Sequence, residues 1–199
     1  MLTAIVLAAG QSTRMGSLKQ LLPLREGKPV IQVVVEQVSA SGVDEVVVVL
    51  GFRAEEVATT LSSTGARIVI NQEYESGMTS SVCCGIRAAT AAQSYLICLG
   101  DQPLVDAAVI RSVVAAANTS GTGIVIPTYE GKGGHPIFID GRHTDEILRL
   151  RPDEGLNIFT RRHADDTVRL PVDDRNVLED MDTPADYARL AARFRATST

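Results

Sequence analysis

Apolar residues follow two rhythms along this chain. Residues 2–7, 45–50 and 95–99 are nearly unbroken apolar runs, each ending close to a glycine. Runs of that length with many β-branched residues predict strands covered on both faces. Between the first two runs, apolar side chains fall at positions 30, 31, 34, 35 and 38. That spacing predicts a helix over 29–41 in spite of its valines, with Gly42 as the stop. The same reasoning predicts helices over 53–61, 79–93 and 106–118 and a strand over 67–71.

Strand and helix alternating at this interval imply right-handed crossovers. They predict an α/β fold, a mostly parallel, Rossmann-like sheet with helices on both faces. The rhythm changes after residue 122. Short strands at 123–129 and 136–140 flank the turn Glu130-Gly131-Lys132-Gly133-Gly134, which predicts a small antiparallel excursion around residues 123–140. Helical segments at 144–150 and 155–163, a strand at 167–172 and a helix from Pro184 complete the reading. Residues 196–199 read as a loose tail. No repeat or linker interrupts the chain, so residues 1–199 are expected to form one domain.

Composition narrows the partners. The chain has 199 residues, 45% of them hydrophobic, enough for a sizeable core. Its 19 Lys and Arg against 24 Asp and Glu give a net charge of −5. That balance argues against nucleic-acid or acidic-membrane surfaces, so an anionic ligand needs a local pocket. With no basic leader and no apolar run long enough to span a bilayer, neither export nor a membrane span is indicated, and a cytoplasmic location is expected. Cys83, Cys84 and Cys98 read as core or near-core thiols. His135, His143 and His163 show no metal-ligand spacing along the sequence.

The chemistry starts after the first strand. In Leu7-Ala8-Ala9-Gly10-Gln11-Ser12-Thr13-Arg14-Met15-Gly16, small residues allow close backbone approach, and Arg14 and Lys19 place two cations just beyond. This arrangement suits a polyphosphate. It is neither a Walker loop nor a dinucleotide fingerprint, because Gly16 is not followed by Lys-Ser/Thr and no Gly-x-Gly-x-x-Gly occurs. Such loop cations are expected to be exposed and to matter little for folding. A second turn, Leu99-Gly100-Asp101-Gln102-Pro103, leaves an apolar strand and offers a carboxylate in the same crevice, outside the carboxyl ends of the strands.

The opening loop, with Lys19 and Leu21-Leu22-Pro23, resembles the signature of nucleotidyltransferases with a Rossmann-like, nucleotide-diphospho-sugar transferase-like fold. In that family the loop wraps a nucleoside triphosphate, which implies nucleotide-binding roles for Leu7, Ala8, Ala9, Gly10, Gln11, Ser12, Arg14 and Lys19. The segment 71–81 resembles the stretch lying along base and ribose, which adds Asn71, Ser80 and Ser81. Gln72 departs there from the proline common in the family, and the serines also read as a helix cap. Gly100 and Asp101 match the Gly-Asp-x-Pro motif, whose aspartate holds magnesium. Asp180-Met181-Asp182-Thr183-Pro184-Ala185-Asp186 matches Asp-x-Asp-Thr-Pro-x-Asp and implies Asp182 as the opposing metal ligand, although Thr183, Pro184 and Asp186 also read as a helix start.

Gly131-Lys132-Gly133-Gly134-His135-Pro136 matches Gly-x-x-Gly-His-Pro, found in the MobA-like branch that modifies the molybdenum cofactor. The resemblance places Gly134, His135 and Pro136 on the substrate side, with His135 either positioning a phosphate or bonding the backbone. It implies a Mg2+-dependent molybdenum cofactor cytidylyltransferase. CMP passes from CTP to the phosphate of a molybdopterin-type cofactor, pyrophosphate leaves, and Arg14, Lys19 and Asp101 carry catalysis. A molybdoenzyme or its insertion chaperone is then the implied recipient. Ala9, where guanylyl-transferring relatives have glycine, favours CTP over GTP. A cytidylyltransferase acting on a sugar-like phosphate and a non-catalytic cofactor carrier are the other readings.

Overall fold

The computed structural model describes residues 1–151 and 153–196. Part of the expected tail, residues 197–199, lies outside them. Among the described residues, eight strands form one sheet: β1 (Leu2–Ala8), β2 (Glu45–Leu50), β3 (Arg67–Ile70), β4 (Ser94–Leu99), β5 (Ile124–Tyr129), β6 (Lys132–Gly133), β7 (Ile137–Asp140) and β8 (Thr167–Pro171). Their order is β3-β2-β1-β4-β7-β5-β6, and β8 pairs with β5. β1 is flanked in parallel by β2 and β4, with Leu7 opposite Val49 on one side and Leu99 on the other. β7 is antiparallel to both β4 and β5. It is the return arm of the expected excursion, inserted into the sheet between two strands of the opposite direction.

Alternation along the strands sorts side chains to two cores. Ala4, Val6, Val46, Val48, Leu50, Leu96 and Cys98 face one side. There they meet α1 (Val30–Ser39), α2 (Ala54–Thr59) and α4 (Ala107–Ser120). Ile5, Val47, Val49, Tyr95 and Ile97 face the other. That face is covered by α3 (Met78–Ala88), α5 (Thr144–Ile147) and α6 (Leu156–Arg162). α7 (Pro184–Ala196) packs Leu190 with Met181, Met15 and Val30 in a small third cluster beside the opening loop.

Two helices are shorter than their patterns predict. α3 stops at Ala88, not at residue 93. Residues 89–93 turn so that the Gln93 carbonyl accepts from the Gly141 amide at 2.8 Å, while its side chain takes the terminal ammonium. Alanines at 88, 89, 91 and 92 carry no stop signal, so this tertiary demand overrides their helix propensity. α5 keeps only Thr144–Ile147 of the predicted 144–150. No helix among the described residues is long and apolar enough to cross a membrane. The three cysteines are free thiols, and burial pushes the Cys98 pKa up to about 12.

Candidate active site

The carboxyl ends of β1 and β4 open into a cleft of about 340 Å³. Gly100 lets those ends come together, since a Cβ there would lie 2.9 Å from both Ala8 Cβ and the Leu7 carbonyl oxygen. Leu7, Ala8, Ala9, Gly10, Arg14, Lys19, Ser81, Gly100, Asp101 and Asp182 all line the cleft. The opening loop reaches this place through a left-handed turn at Ser12 (φ 56°) and another at Gly16 (φ 72°). Gly10 has neither a positive φ nor any atom near the space a Cβ would take. Local packing does not require glycine there.

Gln20 fastens the loop, and nothing in the sequence marked it. The residue is 2% exposed. The amide donates to the Ala8 and Gly10 carbonyls at 3.1 and 3.2 Å, and accepts from the Ser12 hydroxyl at 3.2 Å. The Ser12 oxygen in turn accepts from the Lys19 amide at 3.2 Å. A buried amide satisfied at three points rigidifies the backbone that would face a ligand.

At the cleft floor the Lys19 ammonium stands between two carboxylates, 2.5 Å from Asp101 Oδ2 and 3.1 Å from Asp182 Oδ1. Arg14 reaches the other Asp182 oxygen at 2.8 Å from outside. Contrary to the expectation for loop cations, Lys19 is only 14% exposed, whereas Arg14 is 70% exposed. Burial lowers the Lys19 pKa, but the charge and hydrogen bonds of Asp101, then of Asp182, outweigh it and leave a net rise. The ammonium therefore keeps its proton. Asp180 lines the cleft beside them, one oxygen accepting from Gln102 Nε2 at 2.8 Å. Desolvation of its carboxylate, then the negative charge of Asp101, raises its pKa. The Met181 amide donates to the Asp101 carbonyl at 3.1 Å, which ties the two aspartate-bearing loops together.

Other expected residues stand outside the cleft lining. Asn71 is buried and donates to both Ser80 and Ser81, at 2.8 and 3.0 Å, so it shapes the start of α3 from within. Ser80 also donates to the Glu73 and Gly77 carbonyls. Gln11 is exposed and bonds Glu75 at 3.1 Å. Tyr74, Gly77 and Met78 line the cleft instead, where Met78 is 57% exposed.

Gly134, His135 and Pro136 are not brought to the cleft lining. A Cβ on Gly134 would lie 2.2 Å from the Val177 carbonyl oxygen, which accepts from the His135 amide at 3.0 Å. The His135–Pro136 bond is cis, and Pro136 borders the interior beside Val34, Cys98 and Gln102. Burial lowers the His135 pKa to about 4, so its imidazole is neutral near pH 7.

A doubly wound sheet with a glycine-bearing loop, paired cations and three aspartates at its carboxyl edge defines a nucleotide-handling α/β fold. Residues 4–168 match the model of the MobA-like NTP transferase domain, and the chain belongs to that family. The nicotine blue oxidoreductase of Paenarthrobacter nicotinovorans is 30% identical over 94% of this chain and 95% of its own length. The molybdenum cofactor cytidylyltransferase of Escherichia coli K12 is 25% identical over 96% and 95%. Among solved structures, a nucleotidyl transferase from a Methanothermobacter species superposes with a TM-score of 0.87 at 29% identity, covering 99% of both chains. The manganese complex of Rv0371c from Mycobacterium tuberculosis does so with a TM-score of 0.78 at 28% identity, covering 96% of this chain and 97% of that one.

Proposed function

We propose that the chain is a cytoplasmic, divalent-metal-dependent nucleotidyltransferase that moves CMP from CTP to the phosphate of a molybdopterin-type cofactor and releases pyrophosphate. The observation that carries this reading is the Lys19 ammonium held between Asp101 and Asp182 at the base of a cleft walled by the small-residue loop. Three free thiols fit a reducing compartment.

The nucleophile belongs to the substrate. A phosphate oxygen of the acceptor forms the new bond to the α-phosphorus of CTP, the bond to the bridging oxygen breaks, and pyrophosphate carries away that electron pair. The protein aligns two polyanions and answers the charge on the leaving group. Residues 8–10 bring backbone close to the triphosphate, and the open space at Gly10 leaves room for it. Lys19 and Arg14 supply positive charge. The donor set of Asp101 and Asp182 is all oxygen and already embraces one cation, which fits magnesium or manganese. Bound there, such an ion would neutralise phosphate charge. A molybdoenzyme or its insertion chaperone then takes the product.

The test is to incubate the protein with magnesium, a molybdopterin-type cofactor and each nucleoside triphosphate separately. Cytosine dinucleotide and pyrophosphate are expected, with kcat/KM higher for CTP than for GTP. A preference for GTP overturns the base assignment argued from Ala9, and no product with any nucleotide leaves a carrier. A second reading, oxidoreduction, rests on the 30% identity to the nicotine blue enzyme. Turnover of nicotine blue without pyrophosphate release would replace the transferase reading.

A further inference from the structure

At the edge opposite the cleft, next to the amino ends of β5 and β8, the fold gathers the two remaining histidines. His143 closes a 3-10 turn after β7, Glu146 lies in α5, and His163 follows α6. Their imidazoles sit 4.6 Å apart, centroid to centroid. One nitrogen from each ring and a Glu146 carboxylate oxygen all lie within 4.8 Å of one another. Phe159 packs against both rings, at 5.4 and 4.8 Å, and gives the cluster an apolar wall. His143 is buried, while Glu146 and His163 are partly open to solvent.

Both rings are also held in place. His143 Nε2 meets Asp166 Oδ2 at 2.8 Å, and His163 Nε2 meets Glu146 Oε2 at 2.7 Å. Asp166 is itself fixed by the Gly123 amide at 2.8 Å and the Arg142 guanidinium at 2.7 Å. The tie from Asp166 to Gly123 accounts for His143 and Arg142 as a structural corner. It does not account for a second imidazole, with its own carboxylate, laid against the first.

We propose that His143, His163 and Glu146 bind a divalent transition-metal ion of the zinc class, with Asp166 as the outer carboxylate that orients His143. Two imidazoles and one carboxylate are a donor set that zinc favours, and a carboxylate behind a ligating imidazole is its usual support. Ligand atoms on a tetrahedral zinc ion lie about 3.3 Å apart, so the cluster needs only side-chain adjustment to close. The ion replaces the proton shared by His163 and Glu146, with water in the fourth position. It staples α5 and α6 to the segment entering β8, on a face remote from the cleft, so its role is stability and not group transfer.

Equilibrium dialysis against buffered Zn2+, with folding followed by circular dichroism, tests this. Wild type should take up one more tight zinc per chain than His163→Ala, and that zinc should persist in Asp101→Asn/Asp182→Asn. Added Zn2+ should raise the Tm of wild type but not of His163→Ala. Glu146→Gln keeps both rings and the side-chain size, so it decides the matter should His163→Ala not fold, and it should weaken zinc affinity at least tenfold. Equal uptake by wild type and Glu146→Gln, or uptake abolished by the cleft substitutions alone, would overturn the site.

Discussion

Two ion clusters flank Asp180, and each is the other turned inside out. On the cleft side a mostly buried cation, Lys19, is shared by Asp101 and Asp182. On the outer side a buried carboxylate, Glu179, 7% exposed, is shared by Arg175, Arg189 and Arg193 at 2.8, 2.9 and 3.0 Å. Those arginines are 43–66% exposed, and water solvates whatever charge Glu179 leaves over. The outer cluster is a clamp between residues 175–179 and α7, although Glu179 Oε1, 2.8 Å from the Arg175 guanidinium, accepts no hydrogen bond from the described residues. The cleft cluster sets three aspartates against two cations in an open cavity, and it has capacity left for a ligand. Where the buried charge sits separates a fastening from a site.

Substitutions at the two centres should split activity from stability. Lys19→Ala should cut kcat/KM for nucleotidyl transfer by about a hundredfold or more, about 2.7 kcal/mol. Its stability cost should be the smaller one, about 1–2 kcal/mol, because the carboxylates it separates are reached by water. Glu179→Ala should do the reverse, losing about 2–3 kcal/mol in urea unfolding with transfer by the folded fraction within about twofold of wild type. If Glu179→Ala slows transfer as much as Lys19→Ala does, the contrast between clamp and site collapses.

Smaller effects sharpen the same contrast. Arg189→Ala should cost less than about 1 kcal/mol, since two guanidinium groups remain on Glu179. A loss matching that of Glu179→Ala would mean that one arginine carries the clamp. His135 supplies a pH test of the hairpin that packs on residue 177. Its folded pKa is lowered to about 4 by burial, below the ordinary value of 6.5. The unfolded chain therefore binds the proton more tightly, and this contribution, present above pH 6.5, is lost as pH falls from 6.5 to about 4. His135→Gln should show a smaller drop in urea midpoint between pH 7.5 and 5, and an equal drop would remove His135 as the cause.

Much of this was legible in the chain because local signals and the fold agree. The runs forming β1, β2 and β4 are buried on both faces, and their ends fall within one residue of the pattern. Gly10, Lys19 and Asp101 converge because ligand sites of open α/β sheets lie at the carboxyl edge. Gln20 was illegible, since a lone glutamine becomes a loop brace only when β1 and residues 19–21 are set side by side. The displacement of Gly134–Pro136 follows from Val177, a contact from more than 40 residues away that no local motif encodes. His143 and His163 lack metal spacing in sequence and meet only because α5 and α6 pack on one face.

The central claim, that the Lys19–Asp101–Asp182 cleft performs nucleotidyl transfer, is tested most directly by Asp101→Asn. The change keeps side-chain size and hydrogen-bonding capacity but removes the negative charge that a divalent ion and Lys19 both use. Pyrophosphate release from CTP in the presence of the acceptor cofactor should fall about a hundredfold or more in kcat/KM, with the Tm nearly unchanged. Asp182→Asn should act in the same direction, and the double variant should lose less than the sum if both carboxylates serve one ion. Full activity in Asp101→Asn, with unaltered magnesium dependence, would contradict the account.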